Sequence, residues 1–176
     1  IRDVLYGVVQ GDANESDPRW VELMKAQLQS AEVELVAELA HAPATVEQLL
    51  QFHRPDYVEA LREADARGSV EKEVRDRYRI GTMENPLFPG VFRRASTAVG
   101  GSIHAAELAL AGRVVFHPSG GTHHGRPDRA SGFCYFNDPV FAVLTFLAAG
   151  LERVLYVDLD AHHGDRATDL RGRGLE

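Results

Sequence analysis

Residues 118–165 read PSGGTHHGRPDRASGFCYFNDPVFAVLTFLAAGLERVLYVDLDAHHGD, and the rest of the chain is best read outward from them. Two histidine pairs, His123–His124 and His162–His163, share this stretch with three aspartates, Asp158, Asp160 and Asp165. GGTHH follows the apolar run RVVF (113–116), and DLDAHHGD follows RVLYV (153–157). Short β-branched runs separated by helical segments of roughly 10–20 residues predict an α/β protein with a parallel sheet. In such sheets the functional groups gather at the carboxyl ends of the strands, where both clusters fall.

Along an extended strand alternate residues share a face, so Asp158, Asp160 and His162 converge. Two carboxylates and an imidazole at a buried strand end repel one another and lose hydration. A bound cation removes both penalties. Mixed Asp/His ligation suits zinc or a similar divalent ion, and catalytic zinc typically takes three protein ligands plus water. Alone, D-x-D-x-H is as readily an ion-pair feature, and HH alone is commonly a loop accident. Their joint occurrence at two strand ends favours the metal site. His163 points away from His162 and suits a structural hydrogen bond. Cys134, after Gly-Phe, reads as a small core residue rather than a nucleophile. His53, His104 and His117 read as packing or surface histidines.

The 176 residues are 44% apolar and 26% charged, an ordinary globular composition for one domain. A formal charge of -7 argues against direct nucleic-acid binding. No apolar run suits a membrane span and no basic-then-apolar leader is visible. With the single Cys134 these features imply a cytoplasmic protein. The start at Ile1 and the end in RGRGLE, directly after the richest chemistry, lead us to expect a partial chain.

Upstream, LYGVVQ (5–10) predicts a strand, and the apolar spacing from Trp20 to Leu39 predicts a bent helix or a helix-turn-strand. Thr45 with Gln48 fits a capping box opening a helix over 46–51. Residues 55–66 predict an amphipathic helix, 69–79 a charged surface segment, and GTMENPLFPG (81–90) an irregular loop. The longest helix is expected over 91–112, its alanine and other small residues suiting close packing against a sheet and its Gly100-Gly101 pair marking close backbone approach. A last helix is expected over 137–149, ended by Gly150.

GGTHHGRPDRASGFCYFND followed by RVLYVDLDAHHGD resembles the zinc-dependent histone deacetylase superfamily, nearest its bacterial acetoin-utilisation-type and class I-like members. IGTMENPLFPGVFRRASTAVGGSIHAAELAL and the weaker QFHRPDYVEAL extend the resemblance over about residues 45–165, strongest over 80–165. It implies an arginase/deacetylase-like parallel-sheet α/β fold, with residues 1–176 forming one domain that is incomplete at its C-terminus. It also implies that Asp160 and His162 bind Zn2+, while main-chain carbonyls of Asp158, Asp160 and His162 help hold a structural K+. His123 and His124 become the tandem catalytic histidines, with His124 as general base. Asp158 pairs with His123 and Asp165 with His124. Gly132 and Phe133 line an acyl-lysine tunnel, and Glu84 is an acidic rim residue gripping substrate. The substrate class implied is an acetylated protein lysine or a small acetylated amine.

The sequence departs from the family at both ends. GDANESDPRW stands where the family carries a His-Pro pair and a channel arginine, so Arg19 is a poor substitute, and HHGDRATDL replaces the usual HHGDG continuation. The family's third metal ligand and its oxyanion tyrosine have no counterpart here. A truncated or frame-shifted chain is therefore expected, with negligible turnover by the 176 residues alone. Two other readings remain: a non-catalytic module binding a metal or acyl ligand, and an arginase-like manganese hydrolase, against which GGTHH and GFCYFND argue.

Overall fold

The computed structural model describes residues 41–160, which all lie in one compact unit. The elements expected over 5–39, Arg19, and the site residues His162, His163 and Asp165 fall outside the described residues.

The first helix, α1 (Val46–Leu49), is fastened by the expected box: Gln48 N–H donates to Thr45 Oγ1 at 3.2 Å, and Thr45 N–H donates to Gln48 Oε1 at 2.8 Å. Helix α2 (Pro55–Arg67) opens on Pro55, whose missing N–H costs nothing in the first turn, and closes on Gly68 at φ +67°. Tyr57, Val58, Leu61 and Ala64 recur at helical spacing and form its buried stripe. The charged segment after it contains a short helix, α3 (Lys72–Tyr78), which buries only Tyr78.

Helix α4 (Val91–Leu110) is the longest of the described elements. Its Gly100-Gly101 pair marks close approach, as expected, and the neighbours are the 42–44 backbone and the His117 ring. A Cβ on Gly100 would lie 2.0 Å from the Ala42 carbonyl oxygen, and one on Gly101 would lie 2.3 Å from the His117 ring. Ala44 N–H also donates to Ser96 O at 2.8 Å, laying the 42–44 backbone on the helix. Helix α5 (Asp138–Ala148) packs on α4 and ends before Gly150 at φ +88°. Between them lies an aromatic core in which Phe52, His53, Tyr57, Phe136 and Phe141 meet, with the His53 and Phe136 ring centroids 4.8 Å apart. Among the described residues no helix is long and apolar enough to cross a membrane.

The two expected strands, 113–116 and 153–157, form no ladder among the described residues, where only the isolated bridges Arg126–Arg129 and Ser131–Cys134 occur. Alternation survives without pairing. Val154, Tyr156, Asp158 and Asp160 are partly buried, while Leu155, Val157 and Leu159 are exposed. Alternation is written in a single segment, whereas a ladder requires a second backbone in register beside it.

Candidate active site

The tandem histidines sit in a loop with little regular structure that runs from residue 117 to α5. His123 is buried, and its Nδ1 lies 2.6 Å from Asp158 Oδ2. Tyr156, two residues before Asp158 and on its face, donates its hydroxyl to the same oxygen at 2.9 Å. The Asp160 N–H donates to the other oxygen at 3.0 Å. Burial works against charge on Asp158, but the bonds from His123, the Asp160 amide and Tyr156 outweigh it and hold this carboxyl below its usual range. Burial first, and the bond to Asp158 second, push the Tyr156 phenol up.

His124 stacks obliquely on His123, with ring centroids 4.0 Å apart. His123, His124 and Asp160 each offer a ligand atom, all within 4.8 Å of one another. His123 Nε2 is buried and has no hydrogen-bond partner among the described residues. An imidazole fixed at Nδ1 by a carboxylate, leaving Nε2 to face the cation, is a common arrangement at divalent-metal sites. The cluster therefore fits such an ion, with Asp160 as the described carboxylate able to hold it and the two imidazoles alongside. The potassium assignment to the main chain of Asp158, Asp160 and His162 gains no support from the described residues.

Of the three expected substrate-lining residues, Gly132 lies against His124 and Glu84 is bonded to Gly132. Gly132 N–H donates to Glu84 Oε1 at 2.7 Å, fastening the 81–90 loop to this one. Gly132 adopts φ +55°, and a Cβ there would fall 2.5 Å from the His124 ring, so only glycine fits. Phe133 follows at φ +63°, unusual for a residue with a side chain, and is 71% exposed. Glu84 thus spends one oxygen inside the protein rather than holding both toward a ligand. Cys134 is buried and its thiol is pushed up to about 12, consistent with a core role.

The Tyr57, Tyr135 and Tyr156 hydroxyls all serve internal bonds. Tyr57 donates to the Tyr135 carbonyl at 2.5 Å, and Tyr135 donates to the Pro86 carbonyl. His53 is a packing residue with a polar duty: Nδ1 lies 3.0 Å from the Arg126 carbonyl, and Nε2 accepts the Asn137 N–H at 3.1 Å. Those two bonds require the neutral Nδ1–H tautomer, and burial pushes its pKa down to about 3. His117 bonds the Ala98 carbonyl at 3.0 Å, while His104 sits on the surface beside Glu107. The sequence reading passed over Asn137 and Asp138, which grip the histidine loop. The available signal was an N-cap residue placed directly after the GFCYF run.

His123, His124 and Asp160 form a candidate metal cluster with Asp158 bonded to His123, and the comparisons specify the family. The histone deacetylase domain model matches residues 14–170, and the chain belongs to that family. The acetoin utilization protein AcuC of Bacillus subtilis is 40% identical over 124 residues, covering 69% of this chain and 32% of AcuC. Histone deacetylase B of Dictyostelium discoideum is 44% identical over 126 residues, covering 70% of this chain and 29% of that protein. A crystal structure of an HDAC homologue complexed with SAHA aligns at TM-score 0.76 and 37% identity, covering 92% of this chain and 44% of the other. A second, the HDAC homologue from Aquifex aeolicus, aligns at TM-score 0.75 and 36% identity. The fold is therefore the arginase/deacetylase-like α/β fold, and the chain spans about a third of the length of the curated relatives it matches.

Proposed function

We propose that this chain carries the tandem-histidine part of a metal-dependent deacetylase domain, which hydrolyses the amide of an acyl-lysine or a small acetylated amine. The observation that carries the reading is the His123–Asp158 pair at 2.6 Å with His124 and Asp160 drawn to the same point. Asp160 and His162 would hold the divalent ion, zinc by family type. When bound, such an ion polarises the amide carbonyl and acidifies water.

His124 is the general base that takes the proton of the attacking water. His123, its Nδ1–H directed at Asp158, keeps Nε2 for the site as an electrostatic partner or as the proton donor to the leaving amine. Asp165 would back His124 as Asp158 backs His123. Gly132 and Phe133 would form the channel wall for the acyl-lysine stem, with Glu84 bracing Gly132 from behind. The third metal ligand and the hydroxyl that stabilises the oxyanion are assigned to none of the described residues.

The experiment measures metal content and turnover of a fluorogenic acetyl-lysine peptide and an acetylpolyamine by the full-length protein. Zinc at one equivalent and turnover abolished by His124→Ala are expected, together with negligible turnover by residues 1–176 alone. Stoichiometric metal without turnover of any acetylated amine would instead identify a binding module.

A further inference from the structure

The tandem histidines hang from an irregular loop, and the backbone on both sides of them is tied to one dipeptide at the start of α5. Asn137 and Asp138 are both buried. The Asn137 side-chain amide donates to the His123 carbonyl at 2.9 Å and to the Gly125 carbonyl at 3.0 Å, and its oxygen caps α5 by accepting Val140 N–H. Asp138 Oδ1 accepts Gly121 N–H at 2.9 Å and Thr122 N–H at 2.6 Å. Ser102 Oγ donates to Asp138 Oδ2 at 2.5 Å, anchoring the carboxylate to α4.

The division of labour follows the chemistry of the two side chains. A carboxylate only accepts, so it collects the N–H groups that precede His123. An amide NH2 donates twice, so it collects the carbonyls of His123 and Gly125, on either side of His124. Thr122 Oγ1 lies 2.5 Å from both Asp138 Oδ1 and the Phe136 carbonyl, and tightens the same junction. Gly125 lies so close that a Cβ there would be 2.8 Å from Asn137 N. The loop is thus pressed against the dipeptide as well as bonded to it.

We propose that Asn137 and Asp138 are positioning residues that set the separation of the two imidazoles and the reach of His123 to Asp158. Their kinetic consequence rests on the hydrolase reading above; the geometric one does not. Two variants of the full-length protein test it. Asn137→Asp turns two donors into a carboxylate facing the His123 and Gly125 carbonyls while remaining a good N-cap. Asp138→Asn turns an acceptor of N–H groups into a partial donor. Val58→Ala, a core truncation in α2 without a polar tie to the loop, serves as the stability control.

The expected result is a kcat loss of about 100-fold in each loop variant with KM changed little, against no such loss in the control. In histidine-labelled protein the 15N shifts of the His123 ring should also move, as its Nδ1–H···Asp158 bond lengthens. Loop variants that match the control in kcat, and leave the His123 shifts in place, would overturn the proposal. If the wild-type protein turns nothing over, the hydrolase reading fails and the ring shifts alone decide the clamp. If either variant does not fold, Thr122→Val and Thr122→Ser carry the test. The valine should reproduce the shift change and the serine should restore the native spectrum, whereas identical wild-type spectra for both would overturn it.

Discussion

The helical arm of α2 and α3 and the histidine loop use the same charge-assisted bonds in opposite settings. The arm pairs Arg62 with Glu59 at 2.8 Å, Arg67 with Glu63 at 2.9 Å and Lys72 with Asp76 at 2.8 Å, all between exposed side chains. The loop has fewer charges, but Asp138 is fully buried and Asp158 largely so. On the arm, water and salt compete for each partner, and two long side chains must be ordered to meet. In the loop a lost partner leaves a dry polar group unsatisfied, which costs more than the bond itself contributed. Abundance of ion pairs and their consequence therefore run in opposite directions in this molecule.

The sharpest break in the loop is Gly132→Ala. The new methyl meets the His124 ring at 2.5 Å and the residue must still hold φ +55°, so the imidazole moves or the loop does. A kcat loss of about 100-fold or more is expected in the full-length protein, because an ångström of misplacement carries that weight. Wild-type kcat in this variant would show that His124 is not where the chemistry happens.

Next in size is an acid sensitivity lodged in His53, which supports the loop from the aromatic core. Its folded pKa of about 3 lies below the ordinary 6.5, so folding selects the neutral ring. The unfolded chain then binds the extra proton. Stability from this group is complete above pH 6.5 and is lost as pH falls toward the folded value. Between pH 7 and pH 5 the loss is about 2 kcal/mol. His53→Gln, which keeps an acceptor for Asn137 N–H and a donor for the Arg126 carbonyl, should flatten that slope in urea melts at the two pH values. Parallel wild-type and variant slopes would remove His53 from the account.

How far the sequence was legible follows from where each feature's cause lies. The capping box at Thr45 and Gln48, Pro55 opening a helix, and Gly150 closing one are local chemistry, and all are present as read. The pairing of Asp158 with His123 spans 35 residues and came only through family resemblance, since spacing alone says nothing of partners across a fold. The Gly100-Gly101 pair announced a close neighbour without naming it, because a missing Cβ records space rather than identity. Residues 154–160 alternate in burial, but neither 113–116 nor 153–157 forms a ladder among the described residues, since pairing belongs to two segments at once. Asn137 and Asp138 escaped notice because a cap and a loop clamp use the same residue types.

The smallest effects belong to the arm, and they calibrate the comparison. Gly68 shares the positive φ of Gly132, at +67°, but nothing lies within 4 Å of a Cβ built there. Gly68→Ala should therefore cost only the left-handed backbone penalty, about 1–2 kcal/mol in a urea melt, with kcat unchanged. Comparable kcat losses at Gly68 and Gly132 would mean that backbone strain, not the crowding of His124, governs the loop. Lys72→Ala goes one step further. It removes an exposed helix-surface pair whose ammonium loses its hydration and rotamer freedom to gain one partner. Its unfolding midpoint should stay within experimental scatter of wild type and be insensitive to added salt. A salt-dependent fall would show that the arm's charges act as a network, and the contrast between arm and loop would then be one of degree.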